Sequence, residues 1–97
     1  MAIKKHYLKS KPVCKVTFSI PAREAERVAV VGDFNNWNPE RSLLKKLKNG
    51  TFKTTIDLET GSSYEFKYVV DGNWQNDEQA DAYAWNDFAS ENGVLNL

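Results

Sequence analysis

Two tryptophans lie in polar turns of the sequence, where an exposed ring could bind a ligand. Trp37 lies within the segment 32–39, which is otherwise rich in Asn, Asp and Gly, and Trp74 follows an Asp-Gly turn at 71–72. A flat indole face can stack on the C–H groups of a pyranose, while nearby amides and ammonium groups hydrogen-bond its hydroxyls. The pattern indicates a sugar-binding surface. The alternative is that both rings cover the edge of the core, as large aromatics commonly do.

The composition indicates one globular domain. The chain has 97 residues, of which 41% are hydrophobic and 12% are aromatic, as expected for a single unit with a modest core. No segment approaches the roughly 18 apolar residues of a membrane span, and no apolar run follows the basic N-terminus, so we expect no membrane segment and no secretory signal. Cys14 is the single cysteine, which excludes an intrachain disulfide and favours a cytoplasmic setting.

The charges are separated along the chain although they sum to zero. Residues 1–23 hold six Lys and Arg and no acid, whereas residues 71–97 hold six acids and no Lys or Arg. One interpretation is a basic arm for nucleic acid or an acidic partner, and the other is that the two termini lie close together and attract. We favour the second, because a nucleic-acid face would need denser Lys and Arg.

Short strands between regular turns predict an all-β sandwich or barrel. Turn signals fall at Asn49-Gly50, Thr60-Gly61 and Asp71-Gly72. The apolar run 28–31 predicts a strand covered on both sides, and residues 94–97 predict a closing strand. Elsewhere apolar and polar side chains alternate, and the predicted inward sets are Cys14, Val16, Phe18 and Ile20, then Phe52, Thr54, Ile56 and Leu58, then Tyr64, Phe66, Tyr68 and Val70.

Two segments give weaker patterns. We predict that residues 1–11 form a flexible N-terminal tail, which leaves 12–97 as the folded domain. The apolar residues of 78–91 fit neither the helical nor the strand period, so we predict a long loop that returns to the last strand. A structureless loop of this length is uncommon and tends to be functional.

Three motifs, at 30–37, 64–74 and 92–95, carry a resemblance that covers about 13–97. The chain resembles the carbohydrate-binding modules of family 48. These are the early-set domains in front of isoamylases and glycogen branching enzymes, and the glycogen-binding domain of the AMP-activated protein kinase beta subunit. The resemblance implies an immunoglobulin-like antiparallel β-sandwich that binds α-1,4-linked glucan, such as glycogen, starch or maltooligosaccharides.

The resemblance also implies roles for individual positions. The two tryptophans would stack on glucose rings, and a lysine and an asparagine would hydrogen-bond sugar hydroxyls. A phenylalanine and a serine stand where family members have a leucine that packs on the sugar and a threonine. The implied carbohydrate-binding residues are Trp37, Trp74, Lys67, Asn92, Phe88 and Ser90.

Some of these roles have structural alternatives, and the sequence departs from the family in places. Lys67 could simply be solvated, and Asn92 could be a turn residue before Gly93. The family commonly has Asp-Pro where this chain has Asp-Glu at 77–78. Trp85 has no family counterpart, and it and Tyr83 could extend the binding platform or pack the loop down, of which the second is favoured.

A binding function without catalysis is the leading hypothesis. Glycoside hydrolysis needs two carboxylates placed across the scissile bond, one with a raised pKa, whereas the acids here fall mostly in turns and on outward faces. We expect no cofactor, no metal site, no nucleic acid and no membrane partner. The alternative is a protein-interaction module that docks a glucan-metabolising enzyme or kinase, and a third hypothesis is a piece of a larger glucan enzyme.

Overall fold

Alternating strands build two antiparallel sheets in the computed structural model, which describes residues 2–97. The first sheet has the order β1-β2-β5-β4, with β1 Ala2–Tyr7, β2 Val13–Pro21, β4 Lys45–Lys46 and β5 Thr51–Glu59. The second has the order β3-β6-β9-β8, with β7 also paired to β6. Its strands are β3 Val28–Gly32, β6 Ser63–Val70, β7 Asn73–Gln75, β8 Ala82–Trp85 and β9 Glu91–Asn96. The predicted immunoglobulin-like antiparallel β-sandwich is confirmed.

The core lies between the sheets, where the strand alternation placed it. Phe18 of β2 is fully buried, and its ring centroid lies 5.6 Å from that of Phe66 and 6.2 Å from that of Tyr68, both on β6. Every residue of β3 is buried, which confirms a strand covered on both sides. Such aromatic pairs stabilise the core beyond the area they bury. Since the even-numbered residues of β6 point into this core, its odd-numbered residues face outward.

The N-terminal segment differs from its prediction. Residues 2–7 form β1, which pairs with β2 from Ala2 opposite Ser19 to Tyr7 opposite Cys14. Ile3 packs against the core, so this strand both buries apolar surface and covers an edge of β2 that would otherwise be open. Met1, also part of the predicted tail, lies outside the described residues. The domain boundary near residue 12 stays a prediction.

An ion pair links the basic and acidic ends of the chain. Lys5 Nζ donates to the carboxylate of Asp81 and, at 3.2 Å, to the carbonyl oxygen of Asn96. Partial burial raises the pKa of Asp81, but hydrogen bonds from Lys5 and the Asn96 N–H, with the charge of Lys5, outweigh it and hold that pKa below its usual range. The interpretation that the termini lie close together is therefore confirmed for this contact.

The prediction of an unstructured 78–91 segment was wrong for residues 82–85. These form β8, which pairs with β9 from Ala82 opposite Val94 to Trp85 opposite Glu91. The strand period was hard to recognise because alanines occupy one face of β8, and alanine is depleted in strands and favours helix.

Buried Asp77 fastens the start of this segment to the core. Its Oδ2 accepts a hydrogen bond from the Tyr68 hydroxyl at 2.8 Å, its Oδ1 accepts one from the Gln79 N–H at 2.8 Å, and its backbone carbonyl accepts one from the Tyr83 hydroxyl at 2.6 Å. The side chain of Asp77 has no exposed surface. An unpaired polar group there would be costly, so this cluster fixes the chain between β7 and β8.

Alkaline pH is expected to destabilise the fold through Tyr68. Burial, with the adjacent charge of Asp77 and its hydrogen bond, raises the pKa of Tyr68 far above its ordinary value. The unfolded chain loses this proton near pH 10 and the folded chain keeps it. The contribution of Tyr68 to the free energy of unfolding is therefore complete below pH 10. Above pH 10 this contribution falls, by at most about 1.4 kcal/mol per pH unit. Urea unfolding between pH 9 and 11 should show a shallower decline for Tyr68→Phe than for wild type, and equal slopes would contradict this assignment.

Candidate functional site

The outward face of the second sheet brings the predicted residues together. Lys67 faces outward on β6, and Trp74 lies directly opposite Val69 of the same strand, so it shares that face. Glu65 lies opposite Val94 of β9, and Asn92, two residues along that strand, is on this face too. Three strands thus contribute to one surface.

A groove with a volume of about 730 Å³ runs over this surface. All six residues implied by the resemblance line it, namely Trp37, Lys67, Trp74, Phe88, Ser90 and Asn92. Their roles as ligand contacts stay predictions, while their juxtaposition is a property of the fold.

Trp37 is held by the turn that follows β3. A 3-10 helix, Asp33–Asn35, redirects the chain, and buried Asn35 secures it by accepting from the Gly32 N–H and donating to the Val30 carbonyl, both at 3.0 Å. Trp37 itself has φ of 56°, a left-handed conformation that is uncommon for a bulky residue. Its indole N–H donates to Asp33 Oδ1 at 3.2 Å. The ring is half-buried, and its hydrogen bond to Asp33 fixes its orientation in the unliganded protein.

Gly32 allows the turn to lie against β6. A Cβ atom built at this position would be 2.5 Å from the carbonyl oxygen of Glu65 and 2.7 Å from the Phe34 ring. Only glycine fits this close approach. Asp33 then reaches across, and its Oδ2 accepts the N–H of Glu65 at 2.8 Å. The turn with Trp37 and the strand with Lys67 are in this way locked to each other.

Trp74 and Phe88 are the most exposed of the predicted aromatic residues in the groove. Trp74, on the short strand β7, is 54% exposed, and Phe88, in the loop between β8 and β9, is 89% exposed. Large apolar side chains this exposed are unusual on a soluble domain when they share one depression. They leave ring faces available for stacking.

Asn86 organises the β8–β9 loop, a role that the sequence reasoning missed. Its Oδ1 accepts from the N–H of Phe88 at 2.9 Å and from the Ser90 hydroxyl at 3.1 Å, and its Nδ2 donates to Asn92 Oδ1 at 2.9 Å. Ala89, between these partners, has φ of 56°. An Asn that precedes a short polar stretch is a common loop-closing signal, and this signal was available at 86–90.

A chain of polar side chains forms the floor of the groove. Lys67 Nζ donates to Ser90 Oγ at 3.3 Å, and Asn92 Nδ2 donates to Glu65 Oε1 at 3.2 Å. Asn92 is only 7% exposed, so it contributes to the shape of the floor more than to its open surface. The remaining donors and acceptors of this floor suit a ligand with many hydroxyl groups.

Tyr83 and Trp85, for which the sequence favoured the same packing role, differ in the structure. Tyr83 packs the segment down through its bond to the Asp77 carbonyl, as favoured. Trp85 instead is 73% exposed and lines the groove, so for this residue the favoured interpretation was wrong.

Removal of the Asn86 side chain should loosen the site without unfolding the protein. We expect Asn86→Ala to cost about 1–2 kcal/mol of unfolding free energy, because several polar groups lose their partner at once. Amide hydrogen exchange at residues 88–90 should accelerate, while exchange in β2 and β5 stays as in wild type. Unchanged protection at Phe88 and Ser90 would show that Asn86 does not hold the loop.

No group of three or more His, Cys, Asp or Glu within residues 2–97 could hold a metal ion. Over the same residues, no helix is long and apolar enough to cross a membrane.

Comparison with known families identifies the same region. The family model described as the glycogen recognition site of AMP-activated protein kinase matches residues 15–96. This span includes the groove and both sheets except β1 and the start of β2.

Similar segments occur in larger proteins, among them a branching enzyme and an amylopullulanase. The chain is 38% identical over 56 residues to a 1,4-alpha-glucan branching enzyme of Xanthomonas campestris, covering 57% of the chain and 8% of the enzyme. It is 34% identical over 84 residues to an amylopullulanase of Thermoanaerobacterium thermosulfurigenes, covering 82% of the chain and 4% of the enzyme. It is 37% identical over 62 residues to the protein FLOURY ENDOSPERM 6 of Oryza sativa, covering 64% of the chain and 11% of that protein. The chain thus spans only a small part of the length of each relative.

Proposed function

Because the chain belongs to the family of the glycogen recognition site of AMP-activated protein kinase, we propose that it binds α-1,4-linked glucan without acting on it chemically. The ligands in view are glycogen, starch and maltooligosaccharides. The named relatives, a branching enzyme and an amylopullulanase among them, support this class of ligand.

The observation that carries the proposal is the make-up of the groove. Trp37 and Trp74 border a floor of amide, hydroxyl, ammonium and carboxylate groups within one open depression. A sugar chain needs both parts, since its C–H faces stack on rings and its hydroxyls need donors and acceptors. An open groove also admits an internal stretch of a long polymer, which an enclosed pocket would exclude.

Two of the three carboxylates that line the groove, those of Asp33 and Glu65, are held in hydrogen bonds within the protein, which favours binding over hydrolysis. A glycosidase needs one acid to donate a proton and a second to attack or activate water across the scissile bond. Both oxygens of Asp33 already accept hydrogen bonds, from the Trp37 indole and the Glu65 N–H. Glu65 in turn accepts from Asn92. These acids serve to position the turn and the floor.

Isothermal titration with matched oligosaccharides tests the proposal. We expect maltoheptaose to bind with a Kd on the order of micromolar to millimolar, as a few stacked rings and hydrogen bonds allow. Cellohexaose should give no heat above dilution, because a flat β-1,4 chain presents its rings at other angles. Equal binding of both sugars, or of neither, would contradict the proposal.

Docking to a glucan-metabolising enzyme or a kinase is the second candidate. It is favoured by the relatives, in which the matched segment is 4% to 11% of a much longer protein. Under this proposal the tryptophans of the groove could be replaced without loss of function.

A further inference from the structure

Trp85 is the most exposed indole of the groove, and nothing in its surroundings explains that exposure by packing. It is 73% exposed, compared with 54% for Trp74, and it lines the same depression. An exposed ring that borders a groove is the kind of side chain that dominates binding energy when a ligand covers it.

The backbone at Trp85 is fixed. Trp85 pairs with Glu91 across β8 and β9, and the N–H of the next residue, Asn86, donates to the Ser90 carbonyl at 2.9 Å. The ring is therefore carried by a paired strand that continues into an ordered loop. Little backbone entropy would be lost when it binds, which favours affinity.

The strand order places Trp85 farther from β6 than Trp74. Strand β7, which carries Trp74, pairs directly with β6, which carries Lys67, whereas β9 separates β8 from β6. At a strand spacing of about 4.8 Å, the backbone of Trp85 lies roughly 10 Å from β6. A chain of several pyranose rings that starts near Trp74 can extend across β9 to Trp85.

We propose that Trp85 is a third stacking surface, which only longer α-glucan chains reach. Short chains occupy the part of the groove near Trp37, Trp74 and Lys67. Longer chains continue over β9 to Trp85 and bind more tightly, so this residue sets the chain-length preference. The inference rests on the proposed glucan binding and assigns Trp85 a role separate from that of the other two tryptophans.

Titration of Trp85→Ala with a short and a long sugar tests the inference. We expect the Kd for maltoheptaose to rise about tenfold, which corresponds to the loss of one stacked ring, while the Kd for maltotriose changes by less than about twofold. Trp85→Phe should recover most of the loss, because it keeps a ring face. Tyr7→Ala removes an exposed aromatic from the edge strand β1 and should bind both sugars as wild type does.

The outcomes distinguish this inference from the proposed function. If wild type binds both sugars and Trp85→Ala binds each of them as tightly as wild type does, the proposed third stacking surface is wrong and glucan binding stands. If Trp85→Ala weakens both sugars by the same factor, the length dependence is wrong. If wild type binds neither sugar, glucan binding itself is wrong and the inference falls with it.

Discussion

Trp74→Ala is expected to weaken α-glucan binding by about 2 kcal/mol, or roughly thirtyfold in Kd. The ring is 54% exposed on the outward face, so its removal takes away a stacking surface and little core packing. The melting temperature should stay close to that of wild type, because exposed substitutions away from caps and cavities usually change stability by less than about 0.5 kcal/mol. Titration calorimetry and a thermal melt on the same samples measure both quantities.

Trp37→Ala provides the comparison for this prediction. Its ring is half-buried and its N–H bonds to Asp33, so this variant should lose both affinity and some stability. Trp37→Phe keeps a ring and removes only the N–H. If Trp74→Ala binds maltoheptaose as wild type does, Trp74 is not a ligand contact and the groove assignment fails at the more exposed of its two predicted tryptophans.

The largest expected loss of stability comes from Tyr68→Phe. The substitution removes the donor at 2.8 Å from Asp77 Oδ2, while the carboxylate stays fully buried. A buried acceptor left without its partner costs about 1–3 kcal/mol, and a charged one lies at the upper end. Urea unfolding followed by far-ultraviolet circular dichroism measures the change.

Tyr64→Phe is the matched control on the same strand and the same face. Its hydroxyl donates to the Glu59 carbonyl at 2.9 Å, a backbone acceptor on an exposed residue that water can reach once the hydroxyl is gone. This variant should lose less than about 1 kcal/mol. Equal losses for Tyr64→Phe and Tyr68→Phe would contradict a special role for the buried Tyr68–Asp77 pair.

The sandwich could be predicted from the sequence because its strands repeat a strict period. The inward set on β2 and the aromatic set on β6 are the residues that meet in the core. The turns at Gly50, Gly61 and Gly72 have φ between 82° and 86°, which confirms the turn signals. These features are local, so each can be recognised within a few residues of sequence.

The missed features depend on contacts between distant segments. The strand at 2–7 forms because β2 offers an open edge and Asp81 offers a charge. The strand at 82–85 forms because Asp77 fixes its approach and β9 pairs with it. No local period encodes either contact.

In the candidate site, too, the residues within local motifs could be predicted, whereas features that depend on how the chain folds back could not. Trp37, Trp74 and Lys67 could be named from their motifs, and the common face of Lys67 and Trp74 follows from the pairing of β6 with β7. Asn86 carried a loop-closing signal, but its bond to Asn92 and the exposure of Trp85 could not be predicted, because both depend on how the β8–β9 loop folds back on itself.

Native affinity electrophoresis is the most direct test of glucan binding through the groove. Wild type would run beside the Trp37→Ala/Trp74→Ala double variant in plain gels, in gels with amylopectin and in gels with a cellulose derivative. Near-ultraviolet circular dichroism would verify that both proteins are folded. We predict that amylopectin alone retards wild type and that the double variant runs as in the plain gel. Folded wild type that migrates equally in all three gels, or a double variant that is retarded as strongly as wild type, would contradict this account.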